Sequence, residues 1–517
     1  MKVFLADNYV QVKEKIADIA EQHGNNLDEG LLVFCEEKFT MAIEQKIAER
    51  CGGGFNNEVS SFNLFLRKNS DRKNVLSRQS SSVVMRKIMS ENADKLSCFN
   101  AGNKPTLPVT IYELIAQLKS AKVKPQDVSF AAENVKGTLK SKLSDIALIF
   151  DEYEKYLLNG GYLDTNNSFA EMPEMILKNE KIKRSTVVFA GFPSVTGQIA
   201  DVINAVILTA KETVFVLVGG KNEDLYLNET LSFLRSVGQI LDIEKCNYYI
   251  NDTAKEIRDN LFCPTLLPAQ KGGDGIKAYV AKNLSDEVKQ TALRITYEVK
   301  RSDMRYQDFT VAVGDLPTYK LLISKYFKDY DIPFYIDESI KLSSHPIIKL
   351  IVNCFDVYMR NFDMSKVLSV VTDDLFCSDK DVVDKFVGYV MRYAVTRYTI
   401  KNKFTEDVED IEKIEELRSR FISIFDTLKR RDSVTNYVRF VKRLLEICEV
   451  EQNLSIISEK LNAMDELVKQ SFNEQSIDKL QSVLLDLDTL AGDDFVDVKE
   501  FCEMLLSGAE ACNISIL

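Results

Sequence analysis

The 517-residue chain has no tryptophan, only two histidines (His23 and His345), and no run of about 18 uncharged apolar residues such as a membrane-spanning helix needs. Asp7 interrupts the opening MKVFLADNYV too early for a signal-peptide core, so a cytoplasmic location is expected and a membrane is not. Ten cysteines (Cys35, Cys51, Cys98, Cys246, Cys263, Cys354, Cys377, Cys448, Cys502 and Cys512) are scattered without a CxxC pair. With so few histidines to help them, they read as reduced, mostly buried thiols rather than metal ligands. A phosphate-binding loop is also missing. Such a loop needs glycines that let the backbone approach the phosphates, then Lys and Ser/Thr, after a strand and at the start of a helix. The segment after the first apolar run, ADNYVQVKEK, has no glycine and no Lys-Ser or Lys-Thr pair. In Val218-Gly-Gly-Lys-Asn222, Asn222 stands where the hydroxyl belongs and Phe215 where the first glycine belongs. ATP binding is therefore not expected, and no catalytic, cofactor or metal residue is assigned.

What is present is enough apolar residue, 45% beside 28% charged, for roughly three or four domains with real cores. The net charge of −12 argues against a nucleic-acid partner until its placement is considered. Residues 61–142 carry 15 Lys+Arg against 6 Asp+Glu, and seven of the cations (Arg67, Lys68, Arg72, Lys73, Arg78, Arg86, Lys87) lie within 21 residues that hold one acid, Asp71. Such a segment suits phosphates; it suits a solvated helix face as well. The acidic stretch Thr405 to Leu417 reads as a solvent-exposed helix.

Apolar runs at 3–6, 31–35, 185–192 and 212–220, with a short extended piece at Val59, alternate with amphipathic patterns at 9–22, 38–50 and 198–208. Continuous runs of this length fit parallel strands buried on both faces. Residues 65–184 between them are helix-rich, which gives one parallel α/β domain (1–64 plus 185–260) interrupted by a helical insertion. A Pro- and Gly-rich passage within 260–275 reads as a linker, assigned to 261–275. A second α/β domain is expected at 276–345, with strands at 276–282, 310–314 and 333–336. An all-helical insertion follows at 346–510. The apolar end, 511–517, reads as an unpartnered strand and the start of a truncated continuation.

Five segments carry a resemblance to a known family. They are Leu31-Leu-Val-Phe-Cys-Glu-Glu-Lys-Phe-Thr-Met-Ala-Ile-Glu44, Glu58-Val-Ser-Ser-Phe-Asn-Leu64, Lys142-Leu-Ser-Asp145 to Tyr153, Val188-Phe-Ala-Gly-Phe-Pro-Ser-Val-Thr196, and Tyr319 to Asp337 followed by His345-Pro346. In order and spacing they resemble AddB/RexB, the B subunit of bacterial ATP-dependent helicase-nucleases, over its N-terminal half. The resemblance implies an inactivated superfamily 1 helicase-like fold: parallel α/β motor-like domains with helical insertions. It further implies a scaffold for double-strand-break end resection and recombinational repair. That scaffold pairs with a helicase-nuclease A subunit, holds single-stranded and duplex-end DNA, and scans the strand for a Chi-like sequence. An iron-sulfur cluster and magnesium belong to the family's C-terminal nuclease domain, which is expected to be missing here.

The family's strand contacts map here onto Lys38, Thr40 and Phe62, with Phe192 in the matching Gly-Phe segment; Lys38 stands at a Gln position and Leu64 where Arg is usual. The basic residues Arg67, Lys68, Arg72 and Lys73 complete the candidate DNA-binding set, while plain core packing reads as well for Phe62 and Phe192, and a helix cap for Thr40. The competing functions are an autonomous ATP-dependent helicase or nuclease, and a degenerate paralogue retained as a protein-interaction module.

Overall fold

The computed structural model describes residues 1–24, 29–53, 56–69, 75–99, 106–192, 194–195, 197–219, 228–238, 242–246, 257, 276–336, 339–406, 408–464 and 466–515. The expected linker at 261–275 lies outside the described residues, as do Arg72 and Lys73. The chain divides into two bodies, Met1–Tyr248 with Ile340–Leu517, and Tyr249–Ser339.

At the centre of the first body is a six-stranded sheet of β1 (Lys2–Ala6), β2 (Leu31–Phe34), β3 (Asn57–Ser60), β6 (Thr186–Ala190), β7 (Glu212–Val218) and β8 (Asp242–Lys245). The order across the sheet is β3-β2-β6-β7-β1-β8 and every pairing is parallel, with Val3 opposite Phe215 and Leu32 opposite Val187. Alternate side chains of the central strands β1, β2, β6 and β7 enter different cores. Val3, Leu5, Leu32, Phe34, Val187 and Phe189 face one side, and Phe4, Ala6, Leu31, Val33, Val188 and Ala190 the other. The second face is covered by α1 (Tyr9–His23) and α2 (Thr40–Cys51). The first is covered by α3 (Phe62–Asn69), then α8 (Thr165–Leu177), α10 (Gly197–Thr209) and α11 (Asn228–Val237). Burial on both faces is why these strands read as unbroken apolar runs. The reading of these apolar runs as a parallel α/β sheet holds; that β2 pairs with β6 is seen only in the structure.

The inserted helices are α4 (Arg78–Glu91), α5 (Thr106–Ser120), α6 (Pro125–Glu133), α7 (Thr138–Gly160), α8 and the short α9 (Glu180–Lys183), with a two-residue ladder of β4 (Val75–Leu76) and β5 (Leu163–Asp164). The Lys142–Tyr153 segment has a structural role here. Buried Asp145 accepts backbone hydrogen bonds from Ser97, Cys98 and Phe99 at 3.0, 2.6 and 3.1 Å, and buried Tyr153 is 3.0 Å from the Ser81 hydroxyl on α4.

The later helices are α14 (Pro346–Met359), α15 (Met364–Val371), α16 (Lys380–Arg392), α17 (Ile411–Ser423), α18 (Val434–Ile447), α19 (Val450–Ala463), α20 (Leu467–Ala491) and α21 (Val498–Ala511). A small antiparallel pair, β10 (Arg431–Ser433) with β11 (Phe495–Asp497), interrupts them. His345 starts α14: its Nδ1 accepts the Ile347 amide at 3.1 Å, its Nε2 donates to Asn473 Oδ1 of α20 at 2.9 Å, and its ring meets Phe472 edge-on.

Four expectations are corrected. First, the helical stretches 65–184 and 346–510 are not independent: Val83 of α4 sits in the core of the later helices and Leu490 of α20 in the core of the earlier ones. Second, the apolar end is partnered. Asn513–Ser515 forms β12 beside β9 (Ser339–Lys341), and Ile514 is fully buried. Third, the acidic stretch is not wholly solvated, since α17 begins at Ile411 and buries Ile414 and Leu417.

Fourth, the second body is not an α/β domain: α12 (Leu284–Arg301) and α13 (Leu316–Asp329) share a small core of Val288, Ala292, Ile295, Ile323, Phe327 and Ile332, with no strand among its described residues before Ser339. Residues 276–282, 310–314 and 333–336 are not strands. An apolar run becomes a strand only by pairing with a neighbour, and these runs have no ladder partner among the described residues; Tyr279, Val280 and Tyr335 stay largely exposed.

Candidate nucleic-acid interface

Helices α1 and α2 follow β1 and β2 on one face, while α10 and α11 follow β6 and β7 on the other. The neighbouring pairs β2/β6 and β7/β1 therefore diverge at their carboxyl ends, and crevices at such ends are where doubly wound sheets hold ligands. Here that rim is filled by the chain's own side chains. The Asn8 side chain accepts from the Gln11 amide at 3.0 Å, and buried Gln11 returns an acceptor to the Asp7 amide at 2.7 Å. The amides that a phosphate would require at the start of α1 are thus partly engaged internally. Tyr9 stacks on Phe39 with ring centroids 3.8 Å apart and an interplanar angle of 27°.

Gly191, at the end of β6, explains its own motif. Its φ is +73°, and a Cβ there would lie 2.7 Å from the Tyr9 ring. The Tyr9 hydroxyl is buried with no hydrogen-bond partner among the described residues, and burial raises its pKa. Burial, helped by Glu44 and Glu36, pushes the neighbouring Cys35 thiol up to about 12, so it stays protonated. A stacked aromatic rim of this kind offers apolar surface where a nucleotide site offers donors.

The candidate residues fall into distinct environments. Phe62 and Phe192 are core residues, 8% and 9% exposed, in an aromatic cluster with Phe34, Phe169 and Phe189. Rings so enclosed present no free face to a base, and their assignment as stacking platforms is withdrawn. Lys38 is exposed, 2.9 Å from Glu36 and over the Phe39 ring. The Thr40 hydroxyl donates to the Glu37 carbonyl at 2.8 Å, tightening the turn before α2 rather than capping the helix, whose N-cap is Phe39.

Of the basic run, Lys68 pairs with Glu58 at 3.3 Å, and Lys87 with Asp494 at 2.6 Å. Arg78 binds Glu113 and the Ala511 carbonyl, and Arg86 binds Glu503. Arg67 is exposed on α3. The cations of α4 thus join two sets of helices.

A different group of cations lies further along the same basic stretch. Lys124, Lys136, Lys140 and Lys142 are all exposed on the α6–α7 hairpin; the Lys124 amide donates to the Asp127 carboxylate at 2.8 Å, but none of the four ammonium groups has a carboxylate partner among the described residues. At the base of the hairpin, Lys122 pairs with Asp201 of α10 at 2.6 Å and packs against Gly197. That contact sets the hairpin beside the first turn of α10, on the side of the sheet's carboxyl rim. Sequence charge density covered these lysines but could not separate them from the engaged ones, because the carboxylates that engage Arg86 and Lys87 lie about 400 residues away.

Residues 11–246 match the family described as "ADDB, N-terminal". Across nearly the whole chain the sequence is similar to proteins named as the B subunit of an ATP-dependent helicase/deoxyribonuclease. The one from Alkaliphilus metalliredigens (strain QYMF) is 24% identical, over 99% of this chain and 48% of its own length. Those from Clostridium botulinum (strain Hall) and Thermoanaerobacter pseudethanolicus are each 22% identical, over 95% and 98% of this chain and 47% of their own. The chain spans about half the length of the curated relatives it matches. No helix among the described residues is long and apolar enough to cross a membrane.

Proposed function

We propose that the chain, whose residues 11–246 match the AddB N-terminal family, serves as a DNA-binding scaffold within a helicase-nuclease complex acting in double-strand-break end resection and recombinational repair. In this reading its parallel sheet is a superfamily 1 motor-like domain that no longer works as a motor. The partner is a helicase-nuclease A subunit that supplies the nucleotide chemistry. The single observation that carries the reading is the occupied rim: Asn8 and Gln11 close the loop after β1 on itself, and the Tyr9–Phe39 stack fills the space above it. A motor domain turned scaffold keeps its strand order and loses its phosphate cradle.

The chain holds a single strand chiefly through its phosphates. Any reading of a Chi-like sequence is altered here, because Lys38 and Leu64 replace the side chains usual in the family and Phe62 is buried.

Equilibrium binding of a labelled ATP analogue with magnesium, competed by unlabelled ATP, tests the scaffold reading. No saturable binding is expected up to millimolar nucleotide. Saturable micromolar binding that Tyr9→Ala alters would overturn it.

A further inference from the structure

We propose that the α6–α7 hairpin is a binding lip for a single nucleic-acid strand, with Lys124, Lys136, Lys140 and Lys142 on the phosphates and the Phe130 ring under a base; this rests on the DNA-binding reading above and gives it a location. Residues 122–142 hold five lysines against two acids, Asp127 and Glu133, in a chain whose net charge is −12. Of the five ammonium groups, only that of Lys122 is ion-paired among the described residues. An exposed lysine without a carboxylate keeps its full charge for a ligand. The opposite holds for α4, where Arg86 and Lys87 meet Glu503 and Asp494. The lysines also flank the start of α7, whose first turn carries no acid to compete with a phosphate.

Charge alone would suit an acidic polypeptide equally well, and Phe130 favours the nucleic acid. Val128 and Ala132 of α6 are buried, and two residues of helix rotate the side chain by about 200°, so Phe130 between them points away from that core. It is 69% exposed, and Leu139, just past the turn joining α6 to α7, is 54% exposed. A large aromatic ring left open among unpaired cations is the combination that binds single strands with little regard to sequence: cations follow the backbone and a ring stacks on a base. A peptide with acidic side chains would use the lysines and gain little from a flat ring. The base of the hairpin leans on α10 through Lys122 and Asp201, which sets the lip beside the sheet's carboxyl rim.

Fluorescence anisotropy of a labelled oligodeoxynucleotide with the full chain, at several salt concentrations, tests the assignment. Lys124→Ala/Lys136→Ala/Lys140→Ala/Lys142→Ala should weaken binding at least tenfold at low salt and reduce the log-log salt slope by about 0.7 for each phosphate no longer neutralised. Phe130→Ala should weaken binding about fivefold or more with the slope unchanged. Lys87→Ala, whose lysine is paired with Asp494 on the neighbouring α4, serves as the control. These hairpin side chains are exposed, so circular dichroism and melting should match the parent chain; Lys→Gln at the same four positions repeats the test if they do not. An affinity and slope unchanged by the quadruple substitution, with the parent chain binding normally, overturns the lip and leaves the scaffold reading standing. Competition by polyglutamate as strong as by oligonucleotide, with Phe130→Ala silent, assigns the surface to an acidic protein and overturns the lip as well. Failure of the parent chain to bind DNA at all overturns both.

Discussion

Helix α4 and the α6–α7 hairpin draw their cations from one basic stretch and put them to opposite uses. On α4, Arg78, Arg86 and Lys87 reach Glu113, Glu503 and Asp494, and Gln79 and Ser80 add hydrogen bonds to Asp486 at 2.8 and 2.9 Å. On the hairpin, four lysines face solvent without such partners among the described residues. A count of basic residues along a sequence measures neither role. What decides is whether the fold returns a carboxylate to them, and for Arg86 and Lys87 it does so from more than 400 residues away.

The largest effect expected from this contrast is at Arg86. With side chains 12% and 15% exposed, Arg86 and Glu503 form a largely buried pair, and removing one partner takes from the other its closest counter-charge. Arg86→Ala or Glu503→Ala should each cost about 3 kcal/mol in urea melts, and the double variant scarcely more than either. The DNA salt slope should not move. A slope change in a variant that still folds would show that α4 contacts DNA after all, and would erase the contrast.

A second test uses pH. Burial lowers the pKa of His345 below its ordinary 6.5, although the bond to Asn473 opposes this. The folded state therefore binds a proton less readily than the unfolded chain. Stability is complete above about pH 6.5 and declines as pH falls below it, because only the unfolded state takes up the proton. Asn473 lies on α20, which also carries Asp486, so acid should loosen the helix that reaches α4. Melting midpoints between pH 5 and 8 should show this fall, and His345→Gln should flatten it. An unchanged slope in His345→Gln would place the titration elsewhere.

The smallest effects compare single lysines. Lys87→Ala removes a partly buried ion pair and should cost about 1 kcal/mol, whereas Lys140→Ala should fall within about 0.5 kcal/mol of the parent in the same melts. Equal losses at both positions would mean that Lys140 has a structural partner in solution.

The sheet was legible in the sequence because its evidence is local. Runs such as VFLA and LLVF are apolar at every position, and Gly52 ends α2 in the left-handed conformation (φ +68°) that a glycine there leads one to expect. The Lys142–Tyr153 motif was legible as a pattern but not as a mechanism, since the partners of Asp145 and Tyr153 lie 46 to 72 residues earlier. The runs at 276–282, 310–314 and 333–336 have strand-like composition, yet pairing is a property of neighbours rather than of a segment. At the candidate site, aromatic residues in Ser-Phe and Gly-Phe segments suit a core and a stacking platform equally well, and burial decided for the core at Phe62 and Phe192. The hairpin lysines were counted but not singled out, because exposure is not written in a charge tally.

The double membership of α4 also sets a clock on synthesis. Arg86 and Glu503 are 417 residues apart, so at roughly 5–20 residues per second the helix leaves the ribosome about 20–80 seconds before the carboxylate that neutralises it. For that interval Val83 lacks the helices that will bury it, and the arginine stands uncompensated on a nascent chain. The sheet strands β1, β2 and β3 emerge in the same early window, and their partner β6 follows far sooner than α21 does. Assembly in that order would finish the sheet first and lock the helices last, making the α4–α21 seam the late, slow joint of the molecule.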